Sequence, residues 1–187
     1  MDVYLIRHTS TAVEKGLCFG QSDIPLANTF EQDAAFVLDK LPERIEHCRI
    51  YSSPLSRCRR LAEKLAHTYI ADERLLELNF GDWEGVPFDA IESDALHDWT
   101  ERFADIGPPN GESFSDLCRR AAEFWTHLLT ERCEQVFVVT HAGVIRALLS
   151  NVLNLPAATA FQFRVDHGSL HKLQYSDQYT YIHFLNR

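Results

Sequence analysis

The sequence predicts an α/β fold, a three-layer sandwich with a mostly parallel central sheet and helices on both faces. Short apolar, largely β-branched segments alternate along the chain with longer segments whose apolar residues recur at helical spacing. The strand segments are apolar throughout, which is typical of strands covered on both faces. The chain has 187 residues, 45% of them hydrophobic. We therefore expect one domain over residues 1–187, with an insertion at about residues 71–110.

Short apolar segments at three places along the chain are candidate strands. Residues 3–6 (VYLI) and 136–141 (VFVVTH) read as buried strands, and residues 50–53 (IYSS) as a weaker one. Residues 161–185 alternate in the manner of strands.

Helical patterns lie between these strands. Residues 30–41, 111–129 and 142–153 each carry an apolar stripe at helical spacing. A further helix is expected from Ser53 as N-cap and Pro54 as first helical residue, with its stripe running from Leu55 to Leu65. Residues 71–110 are rich in acidic and aromatic residues, and we interpret them as an insertion that carries part of a site.

The net charge, the cysteines and the length of the apolar runs argue against several classes of protein. The formal net charge is −9 and no long Lys/Arg tract occurs, so nonspecific nucleic-acid binding is not expected, whereas a small anionic substrate is compatible. Five cysteines without a C-x-x-C pair favour a reducing cytoplasm over a disulfide framework. No apolar run reaches membrane-spanning length, and no leader pattern follows Met1, so neither secretion nor membrane insertion is expected.

Polar residues follow each predicted strand. Arg7 and His8 follow the first, Arg57 the second and His141 the last. Ligands of α/β sheets bind beyond the carboxyl ends of strands, so these groups could share one anion, most simply phosphate. A neutral histidine can attack phosphorus. Alternatively, His141 only caps a helix and Arg57 lies on a solvated face.

Four segments, in this order, carry a resemblance: LIRHTST, SSPLSRCRRLA, LLELNFGDWEG and VVTHAGVIRALL. Together they resemble the histidine phosphatase superfamily, the phosphoglycerate mutase-like group, over residues 3–149. Residues 16–26 (GLCFGQSDIPL) are most similar to the α-ribazole-5′-phosphate phosphatases of cobalamin biosynthesis. The resemblance implies a hydrolase of the histidine acid phosphatase type, which acts on a small phosphomonoester through a phosphohistidine and uses no cofactor.

The resemblance also implies roles for single residues. His8 matches the nucleophile, and Glu77 matches the acid that protonates the leaving oxygen. Glu84 is a nearby alternative, but the family spacing places the acid four residues before Gly81. Residues that match groups holding the phosphate or lining its surroundings are Arg7, Arg57, His141, Thr11, Gly20 and Gln21.

Three positions depart from the family pattern. Thr9 replaces the glycine after the nucleophile, and a threonine would be strained there if the position needed a positive φ. Glu14 stands where many members have asparagine, and Ala142 stands in the usual H-G-G.

Other interpretations stay open. The chain could be a phosphatase of other small phosphoesters, or a non-catalytic phosphoester-binding protein, although binding alone needs neither a nucleophile nor an acid. A mutase is less expected, because the sequence has no long tail after Arg187 to shield a phosphohistidine from water. The aromatic residues Phe80, Trp83, Phe88 and Trp99 could hold a flat base or simply pack together.

A metal site has little support. His167 and His171 are four residues apart, but in strand-like sequence that spacing does not bring two side chains together. We expect no metal.

Overall fold

The computed structural model describes residues 1–13, 16–43 and 48–187. In this part of the chain, six strands form one sheet in the order β3-β2-β4-β1-β5-β6. The first four in this order are mutually parallel, β5 is antiparallel to β1, and β6 is antiparallel to β5. This arrangement confirms the predicted α/β sandwich. The strands are β1 (Asp2–Arg7), β2 (Cys48–Ser52), β3 (Ile70–Ala71), β4 (Gln135–Thr140), β5 (Leu170–Ser176) and β6 (Tyr179–Phe184).

Helices cover both faces of the sheet. They are α1 (Phe30–Asp39), α2 (Ser56–Leu65), α3 (Ser93–Arg102), α4 (Phe114–Leu128) and α5 (Ala142–Val152). Alternate residues of β1 enter opposite layers, as the two-residue period of a strand requires. Val3 and Leu5 belong to the core shared with α4 and α5, whereas Tyr4 and Ile6 belong to the core shared with α1 and α2.

The start of α2 differs from the prediction. The sequence predicts a helix capped by Ser53 with Pro54 first, but α2 begins at Ser56. Ser53 still belongs to the sheet edge, because its backbone N–H donates to the carbonyl oxygen of Val139 (2.9 Å). The N–H of Ser56 instead donates to Oδ1 of Asp23 (2.8 Å). Asp23 and Ser56 are 33 residues apart in the sequence, so a local sequence pattern cannot indicate this hydrogen bond.

The register of the central strands positions the site. Arg7, the last residue of β1, is opposite Thr140, the last residue of β4. The chain therefore leaves both strands at the same height, with His8 next on one and His141 next on the other. His141 lies just outside β4 and is the N-cap residue of α5.

The segment of residues 71–110 consists of short turns of 3₁₀ helix followed by α3. Trp83 and Ile91 of this segment form a small apolar cluster with Cys18, which lies outside it. All five cysteines of the chain lie in the described ranges and are free thiols. Among the helices that the structure describes, none is long and apolar enough to cross a lipid bilayer.

Candidate active site

The two predicted histidines lie together beyond the carboxyl ends of β1 and β4. Their ring centroids are 5.1 Å apart, and both side chains are almost completely buried. Nδ1 of His8 lies 2.7 Å from the carbonyl oxygen of Thr9. A carbonyl oxygen can only accept, so Nδ1 carries the proton and Nε2 keeps its lone pair. The free lone pair makes Nε2 the nucleophilic atom of this ring.

Arg57 joins this pair from the first turn of α2. Its Nε donates to Nδ1 of His141 (3.3 Å), and its two terminal nitrogens donate to the carbonyl oxygens of Gly20 and Ser22. Arg57 is fully buried, whereas the neighbouring Arg59 and Arg60 are exposed. Helical spacing alone did not distinguish these three arginines, but their burial does.

The ring of His141 contacts Arg57 and Ser53. Its ring makes no capping hydrogen bond to α5. Because Arg57 donates to Nδ1, the neutral ring carries its proton on Nε2, which donates to Oγ of Ser53 (2.8 Å). Although His141 is the N-cap residue of α5, its side chain therefore does not cap that helix.

Arg7 enters from the end of β1 and is held by the segment before β5. Its Nη1 donates to the carbonyl oxygen of Val165 (2.7 Å), and its Nη2 lies 2.8 Å from Nε2 of His167. Nε of Arg7 is buried, with no hydrogen-bond partner among the described residues. A donor in this position can be satisfied by a bound anion.

Glu77 lies against the start of α5. The backbone N–H of Gly143 donates to its Oε2 (3.1 Å), and the N–H of Leu78 donates to its Oε1 (3.0 Å). A Cβ added at Gly143 would lie 2.3 Å from Oε1 of Glu77, so only glycine permits this approach. The carboxyl group is thereby fixed beside the helix that begins at His141.

Glu84 has a different environment. Its carboxylate accepts hydrogen bonds from the backbone N–H groups of Gly20, Gln21 and Ser22, and from the Ser22 hydroxyl (2.6 Å). Partial burial acts to raise the pKa of Glu84, but these hydrogen bonds outweigh it and lower that pKa. An ionised carboxylate that anchors a turn is unsuited to donating a proton, which favours Glu77 as the acid.

The remaining predicted positions lie around this centre. Gly20 belongs to the turn that Glu84 and Arg57 hold, and a Cβ there would lie 1.8 Å from the carbonyl oxygen of Leu78. Nε2 of Gln21 donates to the carbonyl oxygen of Glu77 (3.0 Å). Thr11 is half-buried and forms a backbone bridge with Leu26.

Thr9 is accommodated without backbone strain. It is buried and is not among the described residues with positive φ, so the strain considered for a threonine at this position does not arise. Its Oγ1 has no hydrogen-bond partner among the described residues. Glu14, the other departure close to the nucleophile, lies outside the described residues.

The electrostatics of the centre favour an anion. Burial, followed by the charges of Arg57 and Arg7, holds the pKa of His8 well below its usual range. Burial and the charges of His8, Arg57 and Arg7 do the same to the pKa of His141. Neither arginine forms an ion pair with a carboxylate in the described part of the chain. Two neutral rings beside two guanidinium groups that lack a carboxylate partner make an environment suited to a dianion such as phosphate.

The aromatic residues of the insertion pack mainly on one another. The centroid of Trp99 is 5.8 Å from that of Phe80 and 5.7 Å from that of Trp83, and Phe88 lies 6.5 Å from Phe80. These contacts show that the four aromatic rings form a local core. Their contact with a flat base of the substrate stays a prediction. No group of three or more His, Cys, Asp or Glu side chains suited to a metal ion occurs within residues 1–13, 16–43 and 48–187.

Two residues close to the centre were not predicted as part of it. His167 contacts Arg7, and its ring centroid is 5.4 Å from that of His8. Arg146 lies one helical turn after Gly143, donates from Nε to the carbonyl oxygen of Phe163 (3.0 Å) and stacks 4.9 Å from the ring of Phe161. The strand-like pattern around His167 gave no signal for this position, whereas the helical spacing of Arg146 from Gly143 could have indicated it.

Comparison with known proteins agrees with this geometry. A family model described as the histidine phosphatase superfamily (branch 1) matches residues 3–187. The chain belongs to this superfamily. This histidine phosphatase is 28% identical to the adenosylcobalamin/alpha-ribazole phosphatase of Salmonella typhimurium, over 100% of this chain and 96% of that protein.

Two further similarities are informative. The chain is 32% identical to a Shigella boydii protein named "Probable phosphoglycerate mutase GpmB", over 95% of this chain and 86% of that protein. The crystal structure of the alpha-ribazole phosphatase from Shigella flexneri superposes with a TM-score of 0.90 at 26% identity, covering 100% and 96% of the two chains. Membership of the superfamily and phosphatase-named relatives support a phosphatase role, while the names differ in substrate.

Proposed function

We propose that this protein hydrolyses a small phosphomonoester through a phosphohistidine at His8, without a metal ion. The observation that carries the proposal is the fixed tautomer of His8. Its Nδ1–H is bound to the Thr9 carbonyl oxygen, which leaves the Nε2 lone pair beside Arg57 and Arg7. Because the ring is neutral, no proton has to leave before it attacks phosphorus.

The chemistry follows from the positions of the groups. Nε2 of His8 forms a bond to phosphorus as the bond to the ester oxygen breaks, and Glu77 gives that oxygen its proton. Arg7 and Arg57 stabilise the charge on the other phosphoryl oxygens, which is the main task of catalysis in phosphoryl transfer. His141 joins them when its Nε2–H turns from Oγ of Ser53 to a phosphoryl oxygen. Water then breaks the bond between His8 and phosphorus, releases inorganic phosphate and returns a proton to Glu77.

For the substrate, we propose α-ribazole 5′-phosphate, as the names of relatives in sequence and structure suggest. Other small phosphoesters are the alternative, because the residues described so far contact the phosphate rather than the alcohol. A relative named as a phosphoglycerate mutase makes 3-phosphoglycerate a necessary comparison. Five free thiols favour a reducing compartment, so we propose the cytoplasm as its location.

The test of the proposed function is capture of the intermediate. After mixing with a ³²P-labelled phosphomonoester and a rapid quench, we expect acid-labile, base-stable label on His8. His8→Ala should carry no label and have no measurable turnover, whereas His183→Ala, which replaces an exposed histidine, should behave as wild type. Full turnover by His8→Ala would overturn the proposal.

The substrate is tested by a panel. Values of kcat/KM are compared for α-ribazole 5′-phosphate, 3-phosphoglycerate, glycerol 3-phosphate and p-nitrophenyl phosphate. We expect the first to be hydrolysed best. A flat ranking, or a preference for 3-phosphoglycerate, would reject the assignment of the substrate and leave the chemistry at His8 intact.

A further inference from the structure

His167 lies against the proposed phosphate site, with part of its side chain buried there and part exposed to solvent. It precedes β5, with Nε2 2.8 Å from Nη2 of Arg7 and its ring 5.4 Å from that of His8. His171, four residues later, is buried and contacts Ser169 instead. The two histidines therefore have separate environments, and only His167 reaches the site.

The direction of the contact between His167 and Arg7 is fixed by chemistry. A guanidinium group has only N–H donors, so Nε2 of His167 must accept, and the ring must be neutral with its proton on Nδ1. The carbonyl oxygen of Val165 accepts from the other terminal nitrogen of Arg7 (2.7 Å). The segment of residues 165–167 thus holds both ends of the guanidinium fork. Each terminal nitrogen retains a second hydrogen for a ligand.

The charges around His167 determine whether the ring can stay neutral. Burial and the positive charge of Arg7 lower its pKa, while Asp166 and Asp33 act to raise it. His8 also faces the ring, but it is itself neutral. The net lowering keeps His167 an acceptor at neutral pH. A protonated ring would have no lone pair at Nε2 and would place a second cation against Arg7.

We infer that His167 is a positioning residue, which accepts a hydrogen bond from Arg7 and holds that guanidinium in the orientation that binds a phosphoryl group. The inference rests on the proposed function, because that function supplies the phosphoryl group of the substrate that Arg7 binds. It assigns His167 no contact with the reacting atoms.

The test compares two substitutions of His167. His167→Ala removes the acceptor, whereas the side-chain oxygen of His167→Gln can take the place of Nε2. We expect the Kd for inorganic phosphate, measured by calorimetry, to rise about tenfold in His167→Ala, an effect typical of losing one hydrogen bond to a charged group. His167→Gln should recover most of it. The matched control is His183→Ala, because the His183 side chain is exposed and, among the described residues, its ring hydrogen-bonds to Gln174 alone (3.2 Å).

A double-mutant cycle separates positioning from a general structural effect. In an Arg7→Lys background the fork is gone, so we expect His167→Ala to change phosphate binding and kcat/KM by less than twofold. An equal loss in both backgrounds, or unchanged phosphate binding in His167→Ala, would overturn the inference. Thermal unfolding of each variant checks that it is folded.

Failure of the proposed function has a different signature. A wild-type protein that binds phosphate but neither hydrolyses esters nor forms a phosphohistidine would reject that function. The binding cycle would still decide the role of His167, since it requires no turnover.

Discussion

At the residue scale, two glutamates near one turn have opposite environments. Glu84 accepts several hydrogen bonds from residues 20–22, and these keep it ionised, whereas Glu77 accepts two backbone hydrogen bonds beside α5. The Glu84 carboxylate anchors the turn at residues 20–22, whereas the Glu77 carboxylate lies at the start of the helix that follows His141. The resemblance to the family assigns Glu77 as the acid, and that assignment stays a prediction.

The first prediction concerns Glu77. An alkoxide leaves poorly without a proton, while nitrophenolate leaves well without one. Glu77→Gln should therefore slow α-ribazole 5′-phosphate by roughly 10²–10⁴-fold, the usual contribution of general acid catalysis, and p-nitrophenyl phosphate far less. Glu84→Gln is the matched control and should affect both substrates equally. Selectivity in Glu84→Gln would mean that it, not Glu77, is the acid.

The second prediction concerns charge. Arg7 and Arg57 supply the positive charge of the proposed site without a carboxylate partner among the described residues. Turnover should therefore be unchanged after EDTA treatment and dialysis. Activity that disappears with EDTA and returns with one divalent cation would contradict this.

At the element scale, α4 begins with a reciprocal cap. The hydroxyl of Ser113 accepts from the N–H of Asp116 (3.2 Å), while the Asp116 carboxylate accepts from the N–H of Ser113 (3.0 Å). Ser113 is buried, which removes water as an alternative partner. The cap thus fixes where the helix that supports α5 begins.

The third prediction follows from this cap. Ser113→Ala should lower the free energy of unfolding by about 1 kcal/mol, the typical effect of losing an N-cap side chain. Ser115→Ala, two residues along on the exposed side of the helix, should change it little. Urea denaturation measures both, and equal effects would show that the cap contributes nothing specific.

The strands and helices also show which parts of the fold could be predicted from the sequence. Apolar runs located β1 and β4 to within a residue or two, because burial on both faces imposes a uniform pattern. The start of α2 was missed because Asp23, far away in sequence, caps it. His167 was missed as a site residue for a similar reason: a turn before β5 carries it to Arg7, and no local periodicity encodes that path.

At the scale of the whole molecule, three buried histidines couple stability to pH. His8, His141 and His171 are each held neutral, and burial lowers the pKa of His171 to about 4. In the unfolded chain each would titrate near 6.5. Below that pH the unfolded state binds protons that the folded state does not, so stability must fall as the pH falls.

The fourth prediction gives this effect a size. Between pH 6.5 and pH 5.0, His171 alone should remove about 2 kcal/mol from the free energy of unfolding, at about 1.4 kcal/mol per pH unit. Urea denaturation at pH 7.5, 6.0 and 5.0 measures the decline. A free energy of unfolding that stays constant between pH 7.5 and pH 5.0 would show that the buried rings are protonated in the folded state.

The strand order has a consequence for how the chain is made. β1 leaves the ribosome first, but the strands on either side of it are β4 and β5, both in the last third of the sequence. Until residue 140 has emerged, both hydrogen-bonding edges of β1 lack their native neighbours, and the edge that pairs with β5 lacks its neighbour until residue 176 has emerged. Pairings this distant form slowly, and unpaired strands invite association with other chains. His8, the proposed nucleophile, is therefore synthesised well before the strands that complete the proposed site, which is among the last parts of the sheet to be assembled.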